Sequence, residues 1–192
     1  AHRVRRAHDL GGPRLGHRDF GENYAQEFVD KAAALADLDG LRWHFIGHLQ
    51  TNKARVIAPV VSAVHSIDSA KLAAELGRRA EAAKRVIDAY AQVNVSGEAS
   101  KSGSEPAELG AVLAAIEASP SLRLRGLMTV PPASEDANEA APVFRALVAL
   151  RDAMGGAARL PELSMGMTHD LEVAIACGAT VVRVGSALFG AR

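Results

Sequence analysis

The sequence predicts an α/β fold of the (β/α)8 type, a TIM-type barrel. Short runs of β-forming residues alternate with longer amphipathic stretches along the 192 residues. Strict alternation of this kind is typical of a parallel sheet with helical crossovers. The predicted strands are short and evenly spaced, and several end in glycine or polar residues, which favours a closed barrel. Periodicity alone leaves an open, doubly wound sheet as the alternative.

Seven strands are predicted, whereas a (β/α)8 barrel has eight. They lie at residues 18–20, 42–46, 63–67, 88–95, 124–130, 162–165 and 181–184. The predicted helices lie at residues 23–36, 51–58, 69–84, 105–118, 135–154 and 170–176. Residues 1–10 are also predicted to be helical, closed by Gly11, Gly12 and Pro13. We therefore expect the first strand to precede residue 1, so that residues 1–192 form one barrel domain that is incomplete at its N-terminus.

Composition and charge argue against several classes of protein. The formal net charge is zero, and a basic surface of the kind that binds a phosphate backbone is not predicted. No apolar run approaches the roughly 20 residues of a membrane span. The single cysteine, Cys177, excludes an internal disulfide and suits a reducing compartment. We expect a cytoplasmic protein, compatible with a monomer, that has neither nucleic-acid nor membrane partners.

The last two predicted strands end in residues suited to binding an anion. Phosphate sites in this fold often combine the loops after strands seven and eight with a short helix N-terminus. Gly185 would let the backbone approach an anion, and Ser186 would cap a one-turn helix. Ser164 and Gly166 would supply the facing loop. An ordinary helix cap with two turn glycines is the alternative.

Arg183 lies in a strand that should be buried on both faces. A buried guanidinium needs a partner, because burying an unpaired charge is very costly. One possible partner is an acidic side chain such as Glu22. The other is a ligand acceptor, for example a pyridine nitrogen, which arginine would leave unprotonated. The ligand would then be a weaker electron sink than one held by aspartate.

Two further motifs contain residues that could carry out chemistry. His44 and His48 are four residues apart, but Gly47 and the change from strand to helix separate them, and no third metal ligand is evident. No metal site is therefore predicted, and a structural role or a place at a pocket rim is favoured. Lys101 follows the strand at residues 88–95 and is either a solvated loop lysine or an amine that meets aldehyde ligands.

Several blocks of residues, in order and over nearly the whole chain, resemble a known family. They are residues 20–27 (FGENYAQE), 43–53 (WHFIGHLQTNK), 92–103 (QVNVSGEASKSG), 126–128 (GLM), 163–172 (LSMGMTHDLE) and 182–190 (VRVGSALFG). Together they are similar to the pyridoxal phosphate homeostasis proteins, relatives of the alanine racemase barrel domain.

The resemblance implies a barrel of pyridoxal phosphate fold-type III that binds pyridoxal 5′-phosphate. It implies a role in intracellular homeostasis of that cofactor, in vitamin B6 and amino-acid balance, without established catalysis. Arg183 would face the pyridine nitrogen, and Asn23 would lie near the ring. The residues around the phosphate would be Ser164, Met165, Gly166, Gly185 and Ser186. Ser186 stands where many relatives have threonine, and the hydroxyl is retained.

The lysine that holds the cofactor in this family ends the first strand, and no lysine of this sequence matches that position. The lysines of the sequence are Lys31, Lys53, Lys71, Lys84 and Lys101. We expect it just upstream of Ala1, since a barrel that lacks a central strand would expose two sheet edges. The enzymatic alternative is a pyridoxal phosphate-dependent amino-acid racemase. A third possibility is a phosphate-binding barrel enzyme that does not use this cofactor.

Overall fold

The computed structural model describes residues 16–98 and 101–190. The helix predicted over residues 1–10 lies outside them. One sheet contains seven parallel strands in the order β1-β2-β3-β4-β5-β6-β7. The strands are β1 (Asp19–Glu22), β2 (Arg42–Phe45), β3 (Ala63–Ile67), β4 (Ile87–Gln92), β5 (Leu122–Met128), β6 (Glu162–Met167) and β7 (Val181–Arg183).

Helices follow the strands in regular alternation, as the sequence predicts. They are α1 (Ala25–Ala34), α2 (Ala54–Ile57), α3 (Ala70–Ala82), α4 (Leu109–Glu117), α5 (Ala141–Ala153), α6 (Gly156–Arg159), α7 (Leu171–Ala176) and α8 (Ser186–Phe189). Short 3₁₀ turns at Thr51–Lys53, Pro106–Glu108 and Ala137–Ala140 lead into α2, α4 and α5. The helix α6 was not predicted.

The predicted strand at residues 88–95 is longer than β4, which ends at Gln92. Beyond this point the backbone leaves the sheet and pairs with its own loop. Val93 forms a bridge with Ser104, and the amide of Asn94 donates to the carbonyl of Ser104 at 2.9 Å. The local alternation of residue types continues past Gln92, so the sequence does not mark this change of partner.

The sheet is curled into a barrel, as contacts across its interior show. Strands β3 and β6 are three positions apart, a separation of about 14 Å in a flat sheet. His65 on β3 nevertheless lies 2.8 Å from Ser164 on β6, measured from Nδ1 to Oγ. Among the described residues β1 and β7 have no strand between them and do not pair with each other. The predicted TIM-type barrel is confirmed by this curvature and by the parallel strand order.

Buried apolar side chains form a large cluster between the sheet and its helices and a small one inside the barrel. The large cluster includes Phe28, Phe45 and Phe144, each at most 1% exposed. The small cluster comprises Ala63, Tyr90 and Met128, with Val130 packed against it. The barrel interior therefore holds little apolar volume, and polar side chains occupy much of the rest.

Candidate functional site

Arg183 is the last residue of β7, at the C-terminal end of the barrel where sites in this fold lie. Its Nη1 donates to Ser164 Oγ at 2.8 Å, and its Nη2 donates to the carbonyl of Thr129 at 3.0 Å. Burial lowers the pKa of its guanidinium to about 10, although the charge of Asp170 opposes the shift. The group therefore stays protonated at neutral pH. Within the described ranges no carboxylate lies within 4.0 Å of it.

Glu22, the acidic partner considered for Arg183, is engaged elsewhere. Its Oε1 lies 2.7 Å from Lys31 Nζ, which is also 3.0 Å from Glu27 Oε2. Burial disfavours the charged amine, but the hydrogen bonds to Glu22 and Glu27 outweigh it and raise the pKa of Lys31. Glu22 thus forms a buried ion pair with α1, and the alternative in which it neutralises Arg183 is wrong.

Ser164 and Met165 alternate across β6, as neighbouring strand residues do. Ser164 is fully buried, and its Oγ faces the barrel interior, where it contacts both Arg183 and His65. Met165 is equally buried but belongs to the large apolar cluster. Its side chain is therefore committed to packing, which leaves its backbone as the part that could contact a ligand.

The hydrogen bonds of Ser164 continue through the barrel as a series that the sequence did not predict. His65 Nε2 lies 2.9 Å from His44 Nδ1, and His44 Nε2 lies 2.9 Å from Asp19 Oδ1. We call these five residues, Asp19, His44, His65, Ser164 and Arg183, the interior relay. They lie on β1, β2, β3, β6 and β7. Only the alternation of residues across distant strands could have suggested them.

His65 is held neutral within the interior relay. Burial, and then the nearby charges of His44 and Arg183, lower the pKa of its imidazole well below the usual value. Its ring stacks on Tyr90, with centroids 4.1 Å apart and planes inclined by 13°. The phenol of Tyr90 in turn donates to Glu162, which pairs with Arg125. This stacking fixes the plane of the imidazole and so the direction of its two nitrogens.

Gly166 follows Ser164 and Met165 in a backbone conformation that requires glycine. Its φ angle is +92°, and a Cβ atom placed there would lie 2.5 Å from the Cβ of Ala174. The amide of Met167 donates to Asp170 Oδ1 at 2.6 Å, which ties the strand end to the start of α7. This tight turn brings the loop after β6 close to the loop after β7.

Gly185 and Ser186 lie exposed at the start of α8, so the predicted short helix is confirmed. Ser186 does not cap this helix, however. It is the first helical residue, and Gly185 occupies the cap position without a side chain to accept a hydrogen bond. The hydroxyl of Thr168 accepts from the amides of Gly185 at 3.1 Å and Ala187 at 3.5 Å. Sequence reasoning missed this role of Thr168.

Asn23 is exposed and directly follows β1 at the same end of the barrel. A Cβ atom at Gly47 would lie 2.1 Å from the carbonyl oxygen of Asn23. The glycine therefore allows the backbones after β1 and β2 to approach closely. This contact fixes where Asn23 begins the loop into α1.

Lys101 lines a cleft of about 250 Å³ at the ends of β2, β4 and β5. The cleft is lined by Ile46, His48, Gln92, Lys101, Ser102 and Val130. His48 Nδ1 lies 3.4 Å from Asp68 Oδ2, whereas His44 points into the barrel. The two histidines therefore lie in different parts of the protein, His48 at the cleft and His44 inside the barrel. Over residues 16–98 and 101–190, no three His, Cys, Asp or Glu side chains are grouped to hold a metal ion.

No helix in the described part of the chain is long and apolar enough to cross a membrane.

Comparison with known proteins defines the class to which this barrel belongs. The family described as alanine racemase, N-terminal domain, matches residues 5–192. The chain belongs to that family. Its relatives include the pyridoxal phosphate homeostasis protein of Pseudomonas aeruginosa, which is 50% identical over 190 residues. That match covers 98% of this chain and 79% of the relative. The resemblance seen in the sequence is therefore confirmed.

Solved structures of PipY from Synechococcus elongatus PCC7942 are similar to this barrel at 38% identity. The structure without PLP superposes with a TM-score of 0.87 and covers 97% of this chain and 86% of PipY. The structure with PLP bound gives a TM-score of 0.82 and covers 96% and 87% of the two chains.

Proposed function

We propose that this protein binds pyridoxal 5′-phosphate at the C-terminal end of its barrel and acts in homeostasis of that cofactor. In this role it would help to balance vitamin B6 and amino-acid pools in the cytoplasm, without a catalytic reaction of its own. It would do so without a nucleic-acid or membrane partner, and as a monomer. The names of its relatives and the PLP-bound PipY structure support the assignment.

The observation that carries the proposal is the set of partners around Arg183. This partly buried cation donates to a hydroxyl and a carbonyl, and no described carboxylate lies within 4.0 Å of it. A guanidinium cannot accept a hydrogen bond. It can therefore donate to an unprotonated ring nitrogen, which is the acceptor that pyridoxal phosphate offers.

The remaining residues fit the rest of the cofactor. Gly185 and Ser186 are exposed beside the turn at Gly166, and Ser186 would offer its amide and hydroxyl to a phosphate. The amide of Gly185 donates to Thr168, so a phosphate would have to replace that hydroxyl as its acceptor. Met165 would contribute its backbone. Asn23 would lie beside the ring. Since the hydroxyl of Ser164 is already engaged, we expect it to act mainly by holding Arg183.

Pyridoxal phosphate supplies an aldehyde that can combine with amines, and the residues described here would bind and orient it. Lys31 is committed to Glu22 and Glu27, so we do not assign it to the aldehyde. Lys101 remains a candidate contact from the cleft that it lines.

A titration of the full-length protein with pyridoxal phosphate, followed by visible absorbance, tests the proposal. We expect a protein-dependent band and saturable binding. Arg183→Met should weaken binding about tenfold or more, because a charge-assisted hydrogen bond is lost. Arg159→Met is the matched control, since Arg159 pairs with Glu117 on the surface and should bind normally.

Two further measurements separate the alternatives. Turnover of alanine or other amino acids between their enantiomers would favour a racemase and overturn the non-enzymatic role. Absence of any cofactor band, together with binding of inorganic phosphate, would favour a phosphate-binding barrel enzyme that uses no pyridoxal phosphate. Transfer of bound cofactor to an apo-enzyme that depends on it would support homeostasis.

A further inference from the structure

The interior relay crosses the barrel from its N-terminal end to Arg183. Asp19 begins β1, and its Oδ2 accepts from Arg42 Nη2 at 2.6 Å, where the Arg42 side chain is largely exposed and that of Asp19 partly so. From there the contacts pass through His44 and His65, at 2.9 Å each, to the buried Ser164. The proposed cofactor site and the opposite end of the barrel are thus joined by one unbroken series of hydrogen bonds.

Only one arrangement of protons satisfies every contact while both histidines are neutral. Burial opposes ionisation of Asp19, but hydrogen bonds and charge from Arg42 and His44 prevail and lower its pKa, so it is an acceptor only. His44 must therefore carry its proton on Nε2, which leaves Nδ1 as an acceptor.

The same reasoning fixes the other half of the relay. His65 must then donate from Nε2 to His44, and its Nδ1 accepts from the hydroxyl of Ser164. The Ser164 oxygen is left to accept from Arg183. Every hydrogen bond therefore points away from Arg183 and towards Asp19, and each donor depends on its neighbour.

We propose that His65 is a positioning residue for Arg183, acting through Ser164, and that protonation of His44 at the far end of the relay weakens cofactor binding. This inference rests on the proposed function, because Arg183 is taken to donate to the ring nitrogen. It names a regulation of that site by pH.

A second proton on His44 would reverse the pattern. The new N–H on Nδ1 would face the N–H of His65, so His65 would have to move its proton to Nδ1. Ser164 would then accept from both His65 and Arg183, and its own proton would lose its acceptor. More than one geometry could then satisfy the hydrogen bonds of the interior relay, so the position of Arg183 would no longer be fixed.

The groups around the two histidines decide whether His44 can be protonated while His65 stays neutral. Among the described residues, His44 faces Asp19 on β1 and His65 on β3, with Arg42 on its own strand. His65 faces His44, Tyr90 on β4 and, across the barrel, Ser164 and Arg183. Arg183 opposes a charge on His65.

The pH dependence of cofactor affinity in the full-length protein tests the coupling. We expect affinity to fall about tenfold between roughly pH 8 and pH 5, where histidines titrate. His44→Gln keeps a donor towards Asp19 and an acceptor towards His65 but cannot titrate, so it should remove most of this fall. His65→Phe keeps the stacked ring on Tyr90 but should weaken binding about tenfold at either pH. His17→Ala, a histidine outside the relay that packs on Phe20, should match the wild type.

Nitrogen NMR of the imidazole rings in the cofactor-free protein gives a second readout. We expect neutral His65 to carry its proton on Nε2 at high pH and to move it to Nδ1 as His44 is protonated. In His44→Gln this exchange should vanish. These spectra keep the test decisive if His65→Phe does not fold.

The possible outcomes separate the two proposals. Normal cofactor binding with no pH dependence, or a His65 tautomer indifferent to His44, would overturn the relay and leave the proposed function standing. Failure of the wild-type protein to bind pyridoxal phosphate at any pH would overturn both.

Discussion

The two sides of the sheet are built in different ways. Between the sheet and the helices, buried side chains such as Phe28 and Phe144 pack without polar partners. Inside the barrel, His65 and Ser164 are as deeply buried but are joined by directed hydrogen bonds. The outer layer tolerates exchange of one apolar residue for another of similar volume. The interior depends on where each proton lies, and this makes it the side suited to respond to a ligand or to pH.

The largest effect on stability is expected in the outer layer. Phe144→Ala should lower the free energy of unfolding by about 4 kcal/mol, because a fully buried ring is lost and a cavity remains. Urea unfolding followed by circular dichroism would measure it. The control Ile175→Ala removes a side chain that is 53% exposed and should cost less than about 1 kcal/mol. Equal losses for the two variants would mean that α5 does not pack as described.

The buried ion pair between Lys31 and Glu22 lies in the outer layer but should behave like an interior contact. Lys31→Met should cost about 3 kcal/mol at neutral pH, because Glu22 stays buried without its cation. The pKa of Lys31 is raised in the folded state. The stability that its ion pair contributes is therefore fully present below the pKa of a lysine in the unfolded chain, and it is lost only in strong alkali. The difference in stability between the wild type and Lys31→Met should therefore shrink in strong alkali, where the wild-type lysine loses its charge. The exposed Lys71→Met is the control, and a loss that ignores pH would contradict the pairing.

The elements on both sides of the sheet could be predicted from sequence, but the contacts inside the barrel could not. Period and spacing located all seven described strands, since each strand's alternation is a local signal. His65 and Ser164 are 99 residues apart, and no local pattern links them. The position of Gly185 and Ser186 at the start of a short helix after β7 could be predicted from the local sequence, whereas their part in binding stays a prediction. The sequence could not predict the roles of Thr168, Tyr90 and the partners of Arg183, because their contacts form only when the sheet curves into a barrel.

Acid should destabilise the protein because His65, inside the barrel, is held neutral in the folded state. His65 has a lowered pKa in the folded state, so below about pH 6.5 the unfolded chain binds a proton that the folded chain does not. Stability should therefore fall with decreasing pH, by up to about 1.4 kcal/mol per pH unit. Urea unfolding of the cofactor-free protein at a series of pH values would show the slope. His65→Phe should flatten it and His17→Ala should not, and an unchanged slope in His65→Phe would assign the acid sensitivity to other groups.

The smallest effect is expected for the surface pair of Arg159 and Glu117. Its hydrogen bonds are as short as those of the interior relay, so it tests whether burial or distance sets their strength. Arg159 Nε and Nη2 donate to Glu117 at 2.8 Å each, the same distance as Arg183 to Ser164. The Arg159 and Glu117 side chains are 38% and 41% exposed, however, so water replaces the partner when one is removed. Arg159→Ala should therefore cost about 0.5 kcal/mol or less, and less still at high salt. A loss as large as that of Lys31→Met would show that distance, rather than burial, sets the strength of these contacts.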